Sequence, residues 1–188
     1  MNADSLRGKT VAILATDGFE ESELTQPLKA LTDAGAQVHV VSLEAGTIQG
    51  FRRFDKGEQV KVDRVLSEVH AEDYDALLVP GGLFNPDALR SEGNVLDFVK
   101  AIAAAGKPIA AICHGPWVLA DAGVLDGREV TSVGSIRKDL ENAGAVWADQ
   151  PVVADQGIVT SRTPKDLEQF SAKVIEEIAE GRHPRRAD

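Results

Sequence analysis

Apolar positions along the chain fall into two patterns, and their alternation predicts the fold. TVAILAT at 10–16, DALLVPGG at 75–82 and KPIAAIC at 107–113 are apolar almost throughout. Strands covered on both faces need that composition, because neither face meets water. QVHVVSL at 37–43 reads as a fourth strand. Between the runs, apolar residues recur at helical spacing. Leu24, Leu28 and Leu31 make one stripe, which Ala34-Gly35 ends. Pro27 fits that helix only within its first turn. Val95, Phe98, Val99 and Ile102 make a second stripe. Leu167, Phe170, Val174 and Ile178 make a third, opened by Thr163-Pro164 in the order of cap and first helical residue. This alternation predicts a doubly wound α/β sandwich with a mainly parallel sheet.

Two segments break the alternation. GTIQGFRRFDKGEQVKVD at 46–63 reads as a small β excursion. VWADQPVVADQGIVTS at 146–161 reads as two strands around a turn at Asp155-Gln156-Gly157. Both are expected as antiparallel edge strands on the main sheet. With no repeat, linker or low-complexity stretch, residues 1–188 are expected to form a single domain.

Composition narrows the functional classes. The chain is 43% apolar and 27% charged, ordinary for a globular protein. Its net charge of −10 repels phosphates and anionic headgroups, so neither nucleic acid nor membrane is an expected partner. No apolar run approaches the roughly 20 residues of a membrane span. The opening MNADSLRGKT lacks the pattern of a signal peptide, so a cytoplasmic location is expected. One cysteine and four histidines without ligand spacing predict no metal site and no cofactor. The basic end, GRHPRRAD, reads as a frayed terminus.

The single cysteine is the candidate reactive group. In AAICHGPW at 110–117, IAAIC is a strand and GPWVLADAG continues as a helix. Cys113 therefore stands where the strand turns into the helix, like a serine on a nucleophile elbow. Ligands of open α/β sheets bind beyond such strand ends. The N–H groups of the following helix would favour thiolate over thiol. The other reading is a small buried hydrophobe.

Two further strand ends bear on the choice. TDGFEESEL at 16–24 places Glu20 at the top of the sheet, with Glu21 and Glu23 read as acids of the helix start. A protonated, buried Glu20 carboxyl would donate a hydrogen bond to the sulfur, and the two groups would titrate together. In VPGGLFNPDALR at 79–90, Gly81 and Gly82 allow close backbone approach. Their N–H groups and that of His114 could form an oxyanion hole; a simple turn is the alternative. Successive residues of a helix point about 100° apart, so the His114 ring is expected to face away from Cys113. Phe19 and Trp117 either line the pocket or pack in the core. Arg162 either meets an anionic substrate group or caps a strand end.

Four motifs in this order, GFEESEL, YDALLVPGG, AICHGPW and VTSRTPKDL, resemble the DJ-1/PfpI superfamily. The similarity runs from about residue 9 to 178, and Cys-His after the strand resembles the PfpI branch. The resemblance implies a flavodoxin-like three-layer sandwich and a homodimer or higher homo-oligomer. It implies Cys113 as nucleophile, Glu20 as buried partner carboxyl, and the N–H groups of Gly82 and His114 at the oxyanion. It also implies an acid after Gly-Gly that reaches His114 across a subunit interface; here that acid is Asp87.

These residues suit attack on a small reactive carbonyl. A glyoxalase III-like or deglycase-like stress-protection enzyme is expected, acting on a small aldehyde or a glycated protein, with Glu20 as proton shuttle. A PfpI-type cysteine peptidase and a non-enzymatic redox sensor or chaperone-like protein are the alternatives.

Overall fold

The computed structural model describes residues 4–183. The final residues PRRAD of the tail read as frayed lie outside them. In chain order the elements are β1 (Thr10–Leu14), β2 (Phe19–Glu20), α1 (Glu21–Asp33), β3 (Gln37–Ser42), β4 (Thr47–Arg52), β5 (Asp55–Lys61), β6 (Arg64–Val65), β7 (Ala76–Val79) and α2 (Phe84–Leu89). There follow α3 (Gly93–Ala104), β8 (Ile109–Ile112), α4 (Pro116–Asp121), β9 (Glu129–Val130), α5 (Arg137–Asn142), β10 (Val146–Trp147), β11 (Val152–Asp155), β12 (Ile158–Ser161) and α6 (Leu167–Glu180).

The main sheet runs β11-β12-β8-β7-β1-β3-β6. Every pairing in it is parallel except β11 with β12. Taken in chain order, the five long parallel strands lie as 2-1-3-4-5, the flavodoxin arrangement. Connections reverse direction between β1 and β7, and a crevice opens beyond their carboxyl ends.

Alternate residues of each central strand feed opposite layers, as a period of two requires. Val11, Ile13, Leu78, Ala110 and Ile112 pack with Leu24 and Leu31 of α1 and Phe170 and Val174 of α6. Ala12, Leu14, Leu77, Val79 and Ala111 pack with Val95, Val99 and Ile102 of α3 and Val118 and Leu119 of α4. Each buried Leu, Val, Ile or Phe contributes about 1.5–3 kcal/mol relative to exposure. The continuous apolar runs read as strands therefore serve two cores at once.

The structure departs from expectation at three places. Residues 46–63 do form a β4–β5 hairpin, but it builds a separate sheet with β2 instead of edging the main one. Its β5 strand, DKGEQVK, has no buried residue, so it has no face to give a two-sided sheet. In the second irregular segment, β11 is the antiparallel edge, while β12 is interior and parallel to β8. Val146 and Trp147 pair with β9 in a two-stranded sheet. Pro27 sits at the seventh residue of α1, past the first turn. It lacks the N–H that would bond the Glu23 carbonyl, at a cost of about 3 kcal/mol; its buried ring packs on the same face as Leu24 and Leu31.

Candidate active site

β8 delivers Cys113 to the crevice in a conformation that L-residues rarely adopt, with φ +63°. Three backbone bonds hold it there. Its N–H donates to the Ser161 carbonyl at 3.0 Å, its carbonyl accepts from the Val133 N–H at 3.1 Å, and the Gly115 N–H closes the turn on the Ile112 carbonyl at 2.8 Å. A Cβ on residue 115 would stand 2.6 Å from the Val79 carbonyl, so the turn requires glycine there. Strain held by surrounding bonds in this way is a mark of functional sites.

The carboxyl beside the sulfur belongs to Glu23, not to Glu20. Glu23 is fully buried, and its Oε2 accepts the Gly81 N–H at 2.8 Å. A Cβ on residue 81 would lie 2.5 Å from that oxygen and 2.7 Å from the Cys113 Cβ, so both side chains converge on one point. Glu20 lines the same cavity farther out, where its carboxylate accepts the Arg53 N–H at 3.1 Å. The cause is local geometry. Glu20 is extended and pairs in β2 with Phe51, so its side chain follows the hairpin. Glu23 is in the first turn of α1, and helical side chains lean toward the N-terminus, here toward the strand ends. An acid beside Leu24 and four residues before Pro27, on the buried face of an amphipathic helix, was the signal available in the sequence.

Burial sets the protonation of this pair. Desolvation pushes the Glu23 carboxyl up to about 8, against the pull of the Gly81 N–H. Desolvation, then the charge Glu23 would carry, pushes the Cys113 thiol up, while the N–H groups of His114 and Gly82 pull it down. The expected acidification by the following helix does not dominate; α4 has only six residues. Near neutral pH the pair is uncharged, and Glu23 is an acid with its Oε1 free of any hydrogen-bond partner among the described residues.

The His114 ring is at the sulfur, contrary to expectation. Its Nδ1 lies 3.3 Å from the Cys113 Sγ. Side chains 100° apart presuppose helical backbone, and the left-handed φ of Cys113 breaks that premise. Burial lowers the imidazole pKa, so the ring is a neutral base near pH 7. Its other nitrogen is 3.4 Å from the Ser135 hydroxyl, and the Trp117 ring packs against it at a tilt of 56°, 5.2 Å between centroids.

The remaining residues separate into cavity and scaffold. The cavity, about 890 Å³, is walled by Glu20, Glu23, Gly82, Cys113 and His114, with Arg53 and Lys165 at the rim. The N–H groups of Gly82 and His114 face the sulfur, whereas that of Gly81 is spent on Glu23. Asp87 is exposed on α2 and does not line the cavity of its own chain. Phe19 is core, fully buried under Gly50. Trp117 lies outside the cavity wall, bonded to Asp139. Arg162 is locked between Asp149 at 2.8 Å and Asp166 at 3.1 Å. Asn85, not singled out in the sequence, is fully buried and joins two strand ends. It accepts the Thr16 N–H at 2.7 Å and donates to the Pro80 and Gly81 carbonyls at 2.9 and 3.1 Å. Away from the crevice, Glu177, Glu180 and His183 place ligand-type atoms within 4.8 Å of one another. Glu177 is already matched by Lys173 at 3.0 Å and His183 at 3.1 Å.

A cysteine elbow over the switch point of a flavodoxin-type sheet, with a buried acid at its side, defines a cysteine-centred α/β sandwich. The profile of the DJ-1/PfpI family matches residues 9–177, and the chain belongs to that family. It is 50% identical over 168 residues to "Putative cysteine protease YraA" of Bacillus subtilis, covering 89% of this chain and 96% of that one. It is 43% identical over 170 residues to protein/nucleic acid deglycase 2 of Escherichia coli, again covering 89% and 96%. Among solved structures it superposes, with a TM-score of 0.86 and 34% identity, on a two-domain protein of Anabaena variabilis containing DJ-1/ThiJ/PfpI-like and ferritin-like domains. That match covers 90% of this chain and 48% of the other. The family includes cysteine-nucleophile enzymes. Among the described residues, no helix is long and apolar enough to cross a membrane.

Proposed function

We propose that the protein converts reactive dicarbonyls, or their adducts on amino acids, through a covalent adduct on Cys113. The observation that carries this reading is the fully buried Glu23, an acid near neutral pH, converging with Cys113 on the Gly81 backbone. With methylglyoxal, His114 takes the thiol proton as sulfur adds to the aldehyde carbon. Glu23 protonates the oxyanion, which the N–H groups of Gly82 and His114 stabilise. The Glu23 carboxylate then removes the proton from the former aldehyde carbon, and the imidazolium protonates the ketone oxygen, giving an enediol. Glu23 delivers its proton to the second carbon and takes back the hydroxyl proton of the first. The product is a lactoyl thioester, and water activated by His114 releases lactate and the thiol. Similarity to protein/nucleic acid deglycase 2 supports the same opening attack on glycated groups.

Asp87 belongs to this proposal as a residue supplied by a second copy. The exposed Leu83 and Phe84, 54% and 65% accessible beside the cavity, support a homo-oligomer that covers them. A cytoplasmic location and the lack of any cofactor remain part of the reading.

Incubation with methylglyoxal should yield lactate, and Cys113→Ser should abolish it. Lactate formed equally by the serine variant would reject the reading. The 3.3 Å approach of His114 to the sulfur, with the similarity to YraA, supports peptidase chemistry as a second reading. That reading predicts Cys113-dependent cleavage in an unbiased peptide library and no lactate.

A further inference from the structure

Four basic side chains lie on the two loops that border the cavity, and two of them are consumed in building those loops. Arg52 pairs with Glu21 at 2.9 Å and fixes the tip of the β4–β5 hairpin to the start of α1. The next residue, Arg53, sits at φ +60°, and its backbone N–H is tied to Glu20. Arg53 lines the cavity, is exposed, and has no ion-pair partner among the described residues. The second loop repeats the arrangement. Arg162 pins its turn to Asp149 and Asp166, and Lys165 in the same turn lines the cavity without a charged partner among the described residues. The two-residue turn of the hairpin sets the positive φ of Arg53, and this turn and the doubly clamped one fix the two places from which the cations extend.

The charge balance points the same way. Of the acids lining the cavity, Glu21 is matched by Arg52 and Glu23 is uncharged near neutral pH. Arg53 and Lys165 then outnumber Glu20 on a chain whose net charge is −10. A mouth of reversed sign leading to a partly desolvated pocket concentrates ligands of the opposite charge.

We infer that the Cys113 cavity selects substrates that carry, besides the reactive group, a carboxylate or a similar small anion, held by Arg53 and Lys165. Guanidinium and ammonium groups are the donors suited to that group. The inference rests on reading this cavity as the reacting site. It assigns to Arg53 and Lys165 the anion contact that the sequence offered to Arg162, and it favours adducts on amino acids with a free carboxylate over neutral dicarbonyls.

The lone cysteine allows a direct test. Iodoacetate and iodoacetamide alkylate the same atom and differ by one negative charge. The ratio of their rates at Cys113, divided by the ratio for 2-mercaptoethanol, cancels the sulfur's own reactivity and its pKa. The ratio should be about tenfold above that of the free thiol at low salt. It should collapse toward the free-thiol value in Arg53→Ala/Lys165→Ala and at about 0.5 M salt, where screening is strong. A ratio equal to that of 2-mercaptoethanol, or one the double variant retains, overturns the inference. This readout needs no turnover, so its failure is distinct from a failure to form lactate. For turnover, kcat/KM for the methylglyoxal adduct of N-acetylcysteine should exceed that for the adduct of its amide by a similar factor, chiefly through KM.

Discussion

The carboxyl of Glu23 and the side chain of Cys113 meet over the backbone of Gly81, at the point a Cβ there would occupy. Glu23 is the buried acid nearest the sulfur, and Glu20 is held off on the hairpin side. Glu23→Gln should therefore lower kcat about 100-fold or more, the usual contribution of a positioned acid–base group. Glu20→Gln should cost far less. Lactate production at saturating methylglyoxal compares them; equal losses would contradict the assignment.

Stability should fall as pH rises through the range Glu23 controls. Its folded value is about 8 against an ordinary value of 4.5, so the native state keeps a proton that the unfolded chain has released. In that range unfolding loses about 1 kcal/mol of cost per pH unit. His114, lowered by burial, acts with opposite sign below its ordinary value of 6.5. The clean window is thus pH 6.5 to 8. Urea midpoints should decline across it in the native chain and stay flat in Glu23→Gln.

A methyl group at residue 81 has nowhere to go. Gly81→Ala should destabilise the protein by about 1–3 kcal/mol, as overpacking does, and should displace Glu23 from Cys113. Gly93→Ala, whose Cβ would meet nothing within 4 Å, is the control and should be neutral or slightly stabilising. Thermal midpoints and lactate assays on the two variants should diverge.

Asn85 should prove a structural keystone. Asn85→Ala strands the Thr16 N–H and two carbonyls in a buried place, and each unmatched group costs about 1–3 kcal/mol. A large fall in the urea midpoint is expected. Asn85→Asp should recover the bond to Thr16 but not those to Pro80 and Gly81.

Much of this architecture was readable from the sequence. Strands covered on both sides write themselves as unbroken apolar runs, and IAAIC followed by His-Gly-Pro marked the elbow. Glu23 was missed because three acids crowd the end of β1, and nothing local shows that a two-residue strand of another sheet intervenes before the helix. The His114 ring was misdirected because a positive φ at a non-glycine residue leaves no trace in composition. The hairpin was recognised but placed on the wrong sheet, since pairing partners are chosen by long-range packing. Asn85 sits in a loop where a buried amide looks like any turn residue.

The backbone bond from Cys113 to Ser161 ties the elbow to β12, a strand well beyond it in the chain. Without that strand the left-handed residue keeps the bonds of its own turn and of Val133 but loses the one that anchors its N–H to the sheet. A chain opened at this pairing would hold its sulfhydryl more loosely. The setting of the sulfur thus belongs to the assembled sheet as much as to the elbow that carries it.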